Sequence, residues 1–98
     1  SASYMAHMVG KGEYLAKKMY AMSEYALVIK LADRLANIID SKSLSNERRE
    51  KIKDDTIVIL DYLEKNRRLT VPEQNIIKEI KKHLNEFEQE KKEKGGDK

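Results

Sequence analysis

The sequence predicts an all-α fold, a small helical bundle of three main helices behind one short leading helix. Three observations carry that reading. Apolar side chains recur three and four residues apart, no stretch alternates with the period of a strand, and one Pro and four Gly interrupt 98 residues. The charged fraction is 38 %, much of it Lys, Arg and Glu, which keep most of their rotamer freedom in a helix. No internal repeat divides the chain, so one domain is expected over residues 11–88.

The chain opens Ser1-Ala2-Ser3-Tyr4-Met5-Ala6-His7-Met8, and residues 1–10 read as a leader, either vector-derived or the cut end of something longer. The first helix runs from Lys11 or Gly12 to Met22. Tyr14, Leu15, Met19 and Met22 form its apolar side, and Lys17 and Lys18 its wet one. Ser23 is a good N-cap for a second helix, Glu24 to Asp40, with Glu24 placed where a carboxylate meets the positive end of the helix dipole. This is the most apolar helix of the chain, so it is expected at the centre, with Leu27, Val28, Leu31, Leu35, Ile38 and Ile39 as its broad back.

Ser41 to Asn46 is a linker of side chains that compete with the backbone for hydrogen bonds, and Ser45 or Asn46 can cap a third helix reaching Asn66. Its first turns, Glu47 to Asp55, are charged all round and read as solvated. Further on, Ile57, Ile59, Leu60 and Leu63 form a stripe with Ile52 behind it. After a break at Arg67-Arg68-Leu69, Thr70-Val71-Pro72-Glu73 spells a capping box with Pro in the tolerated first turn. The fourth helix then carries Ile76, Ile77, Ile80, Leu84 and Phe87 along a single seam. From Glu88 the residues are too polar to repay the entropy of ordering, and 89–98 read as a disordered charged tail.

Charge and composition exclude more than they assign. A net charge of +3 from 20 basic and 17 acidic residues is too balanced to point to nucleic acid. No run approaches the roughly 20 apolar residues of a membrane span. The absence of Cys removes disulfides and thiolate metal sites and fits a cytoplasmic protein.

One segment carries chemistry. On the second helix Ala26, Lys30, Asp33, Asn37 and Asp40 fall four, three, four and three residues apart, which places them on one stripe about 80° wide. A helix packed on three sides shows such a stripe to water. Alternatively, Asp33 supplies a hard oxygen ligand to a divalent ion, with Asn37 one turn away facing a bound substrate. The segment Ala26-Leu-Val-Ile-Lys-Leu-Ala-Asp-Arg-Leu-Ala-Asn37 resembles the Val-Lys-Leu-Ala-Asp-Arg-Leu-x-Asn signature of Rel/Spo-type hydrolases in the HD superfamily. Softer similarity to small and phage-borne members runs through Gly12-Glu-Tyr-Leu15 and Asn66-Arg-Arg-Leu-Thr70, covering about two thirds of the chain.

That resemblance implies part of an HD domain and the carboxy-terminal portion of a guanosine tetra- or pentaphosphate 3′-pyrophosphohydrolase. By resemblance Asp33 is the last protein ligand of a catalytic manganese or other divalent metal. Asn37 contacts the guanosine nucleotide, and Lys30 and Arg34 match the motif beside it.

The departures matter equally. No His-Asp dipeptide occurs, since His7 precedes Met8 and His83 precedes Leu84, and Ala36 stands where long members often carry His. A catalytic metal takes about three protein ligands, so this chain alone is expected neither to retain the metal nor to hydrolyse the nucleotide, and no catalytic residue is assigned. A signature helix without its usual upstream neighbours leaves apolar surface open, which points to a homo-oligomer or to a missing N-terminal half as the partner. The alternative reading is a non-catalytic helical interaction module. His83 reads as a flanking histidine, the tyrosines and methionines as packing residues, and Arg48-Arg49 and Arg67-Arg68 as solvated doublets.

Overall fold

A computed structural model describes residues 10–96, with side chains as far as Glu93. The described residues form four α-helices and one short 3-10 turn, without a strand: α1 (Lys11–Tyr20), α2 (Glu24–Asp40), the turn Ser41–Ser43, α3 (Asn46–Asn66) and α4 (Val71–Gly96). The all-α bundle expected from the spacing is therefore present. The leader expected over residues 1–10, His7 included, lies outside the described residues except for Gly10. Gly10 caps α1 at φ 85°, where an L side chain would be strained, and its carbonyl accepts the Tyr14 N–H at 3.0 Å.

Local chemistry sets the helix boundaries. The Ser23 hydroxyl accepts from the Ala26 N–H at 3.2 Å, and Ser45 accepts from the Arg48 N–H at 3.3 Å. At the start of α4 the Thr70 N–H donates to Glu73 Oε1 at 2.8 Å while the Glu73 N–H reaches Thr70 Oγ1 at 3.4 Å, which completes the capping box. Between α2 and α3 the buried Ser41 hydroxyl donates to the Ile38 carbonyl at 2.6 Å and turns the chain.

The helix backbones approach most closely in two pairings, α1 with α3 and α2 with α4. On α1 the buried face is Gly12, Ala16 and Met19, while Tyr14, Leu15 and Met22 are half-buried. Small residues bring α1 close. At Gly12 a Cβ would lie 3.2 Å from the Asp55 Cα and 3.3 Å from the Asp55 carbonyl oxygen. The core joins Ala16 and Met19 to Leu27, Leu31 and Ile38 of α2, Ile59, Leu60 and Leu63 of α3, and Ile77, Ile80 and Leu84 of α4. At α1's far end Tyr20 meets Tyr62 edge to face, with centroids 5.7 Å apart.

Two expectations about the faces of α3 are corrected. On α3, Ile57 lies outside with 48 % exposure and Thr56 is fully buried instead; its hydroxyl donates to the Ile52 carbonyl at 2.7 Å, which satisfies the one polar atom it carries inward. The first turns of α3 are not uniformly solvated, because Arg49, Glu50 and Lys53 are half-buried against α4. Past Glu88, α4 continues to Gly96. Arg49 pairs with Glu90 at 3.1 Å, Lys53 with Glu88, and Lys91 with Glu50. These pairs hold α4 against α3 well beyond the last seam residue.

Phe87, almost fully buried, has the Arg49 guanidinium 4.2 Å and the Lys91 ammonium 5.1 Å from its ring centroid. The doublet arginines divide accordingly. Arg48 is exposed and Arg49 is not; Arg67 donates to the Tyr20 carbonyl at 2.8 Å and the Met22 carbonyl at 2.5 Å, tying the end of α1 to the α3–α4 turn.

Candidate functional site

The candidate site is α2, and its position follows from which third of the helix is anchored. Leu27, Leu31 and Ile38 are buried in the core, and Ser41 ends the helix from inside. At about 100° per residue, everything centred on Lys30, Asp33, Asn37 and Asp40 must then face outward. All four are exposed, and Ala26 at the head of the stripe is half-buried. The stripe expected from the spacing is thus a continuous strip of surface. It brings Lys30, Asp33 and Asn37 together on one side of one helix.

Arg34 is different. It is half-buried, and loss of water around the guanidinium lowers its pKa, with Asp55 of α3 acting against that shift. Its guanidinium lies within electrostatic reach of Asp55, although the two form no ion pair among the described residues. Asp55 also lies where Gly12 lets α1 approach. The sequence places Arg34 with Lys30, Asp33 and Asn37 and gives neither Asp55 nor Gly12 a part beside it. The signal for Gly12 is faint, a glycine inside a helical pattern, which is tolerated where a backbone approaches.

Asp33, Asp40 and Lys30 make no ion pair among the described residues. Nor do the described residues contain a group of three or more His, Cys, Asp or Glu that could hold a metal ion. Asp33 by itself offers one carboxylate, and Asn37 one amide oxygen a turn away. A catalytic divalent site needs about three protein ligands in fixed geometry, so these residues alone do not fit one. What the strip can do unaided is present a carboxylate, an amide and an ammonium to something laid against it.

Beside the strip lies a second exposed face that the expected apolar back only partly foreshadows. Val28 and Leu35 are half-buried, but Ile39 is 41 % exposed and Ile29 is 48 % exposed, while Tyr25 stands 80 % in solvent. Ala32 and Ala36 are exposed between them. α2 is therefore not enclosed at the centre of the described fold. It packs by one face and leaves both the polar strip and an apolar face uncovered.

Elsewhere the candidates resolve into packing. His83 is half-buried, with Nδ1 3.2 Å from Glu86 Oε1. Met19 is buried in the core. The larger surface clefts are lined by side chains of α3, the turn after it and α4, such as Glu64, Arg67, Lys78 and Lys81, not by the α2 motif. No described helix is long and apolar enough to cross a membrane. No protein-family model, curated protein or solved structure matches the chain.

Proposed function

We propose that this chain is the part of a metal-dependent guanosine tetra- or pentaphosphate 3′-pyrophosphohydrolase that carries the last metal ligand, Asp33, together with Asn37 and Lys30 for the nucleotide. The observation that supports it is the co-presentation of these three motif residues on one uncovered strip of α2. Further ligands must come from another stretch of protein, because Asp33 is one of about three that manganese or another divalent ion requires. Arg34, half-buried beside the strip, takes a positioning part in this reading rather than a place on the strip itself.

The test compares manganese-dependent pyrophosphate release from guanosine tetraphosphate by this chain and by the longest polypeptide its gene encodes. Turnover by the longer protein that disappears in Asp33→Asn, with no turnover by the chain alone, is the expected result. Loss-free activity in Asp33→Asn would remove Asp33 from the site.

A second reading has its own observation. The exposed apolar face of α2, with Tyr25, Ile29 and Ile39 in solvent, supports a non-catalytic helical interaction module. Homo-oligomerisation or helices of a longer chain are the two partners the sequence offers, and Ala36→Glu, placed in the middle of that face, should abolish either association.

A further inference from the structure

The exposed half of α2 has an order of its own. Tyr25, Ile29, Ala32, Ala36 and Ile39 follow one another at intervals of four, three, four and three, so they form a straight seam with the 3.5-residue period of two helices packed side by side. All five are exposed. The seam is about 21 Å long at 1.5 Å per residue. Its middle is Ala32 and Ala36, where a second backbone can approach closely, and its ends are the large side chains Tyr25 and Ile29 on one side and Ile39 on the other.

The two edges of the seam differ. Along one run Val28 and Leu35, half-buried and apolar. Along the other run Asp33 and Asp40, each following a seam residue by one position and another by four, both exposed and both without an ion pair among the described residues. This asymmetry discriminates between occupants. In an antiparallel pair of identical helices each edge meets its own copy, so the acidic edge would face the acidic edge. In a parallel pair each edge meets the opposite one, so Asp33 and Asp40 would lie against Val28 and Leu35 and lose water without gaining a partner. A second copy of α2 is mismatched either way.

We infer that the uncovered face of α2 is a docking surface for an amphipathic helix of another protein segment, apolar along its seam and carrying Lys or Arg on the edge that meets Asp33 and Asp40. This rests on the interaction reading of α2 given above. The apolar seam supplies the burial, and the acidic edge sets which helix is accepted and in which direction, as complementary charges at the margin of a helix pair do.

The experiment uses two fluorescent 21-residue peptides, both with Leu along the seam and Ala on one edge, one with Lys and the other with Glu on the remaining edge. Binding to the full 98-residue chain is followed by anisotropy at low salt, with sedimentation of the chain alone alongside. The Lys peptide should bind about fivefold to tenfold tighter than the Glu peptide, the range that two exposed ion pairs can supply. In Asp33→Asn/Asp40→Asn that preference should vanish while binding of the Glu peptide persists, and Ala36→Glu, with unchanged helicity, should bind neither. Equal binding of the two peptides by the unaltered chain overturns the basic partner but leaves α2 a docking face. Binding undiminished in Ala36→Glu, or no binding of either peptide to a monomeric chain, overturns the interaction reading as well. A tight dimer dissolved by Ala36→Glu overturns the inferred occupant in favour of a second copy.

Discussion

Gly12 and Asp55 touch through their backbones: a methyl group on Gly12 would sit 3.2 Å from the Asp55 Cα, and a backbone atom cannot swing aside as a side-chain tip can. The contact limits how far α1 and α3 can separate without opening a gap at Asp55, the residue whose charge raises the Arg34 pKa against burial. Gly12→Ala gains helix propensity of up to about 1 kcal/mol and spends it on that displacement, so its stability should change by less than about 1 kcal/mol. Gly12→Leu should lose about 2 kcal/mol or more through overpacking. Urea unfolding of the two variants checks the pair, and a Gly12→Leu protein as stable as the parent would contradict the close approach.

Asp33 separates a ligand from a structural residue. It is exposed and unpaired among the described residues, so Asp33→Ala should leave stability within about 0.5 kcal/mol of the parent or raise it, Ala being the better helix former. A loss above about 1.5 kcal/mol in denaturant unfolding would show that the carboxylate serves the fold and would withdraw its reading as a metal ligand.

The capping box at the head of α4 is reciprocal, and Glu73 is fully buried while making it. Thr70→Ala should cost about 1 kcal/mol, the ordinary loss of an N-cap. Glu73→Ala should cost more, about 2 kcal/mol, since it also leaves the Thr70 N–H without its acceptor and empties a packed position. Thermal unfolding ranks the two; the reverse order would mean that the hydroxyl, not the carboxylate, organises the turn.

Glu50 links α3 to the far end of α4. Its hydrogen bond from Lys91, then that from Lys53, hold its carboxyl below the ordinary 4.5 in the folded chain. A carboxyl depressed by folding adds stability above its unfolded pKa and loses it as pH falls through the folded value. Glu50→Gln should therefore be less stable than the parent near neutral pH, with the gap closing as the pH drops below about 4.5 and narrowing in high salt. Amide hydrogen exchange over residues 85–93 reads the effect locally; a gap independent of pH would assign Glu50 a packing role only.

Helix positions were legible because their signals are local. Ser23, Ser45 and the Thr70–Glu73 box mark starts that need no knowledge of the rest of the fold. Faces were less legible where a neighbour decides. Thr56 goes in and Ile57 out because α3 turns its buried side toward α1, at Gly12 and Ala16, and a periodicity of apolar residues cannot register a partner made of small ones. The extension of α4 past Glu88 depends on charges forty residues away in α3, which no window of sequence contains. On α2 the polar strip was visible at once, whereas the seam was not, because Ile39 was grouped with the apolar back while Tyr25, Ile29, Ala32 and Ala36 were assigned to no face.

The interleaved pairing of α1 with α3 and α2 with α4 bears on how the chain reaches this arrangement. Neither α1–α2 nor α3–α4 is a self-sufficient hairpin, because each helix has its closest backbone neighbour two helices away in the chain. Arg67 repeats the pattern, joining the turn after α3 to carbonyls 45 and 47 residues earlier. A ribosome must therefore have released three helices before the first extensive packing can form. Folding should be one concerted event, slower than for a bundle of sequential hairpins, and no cut between helices should yield a half that stands alone.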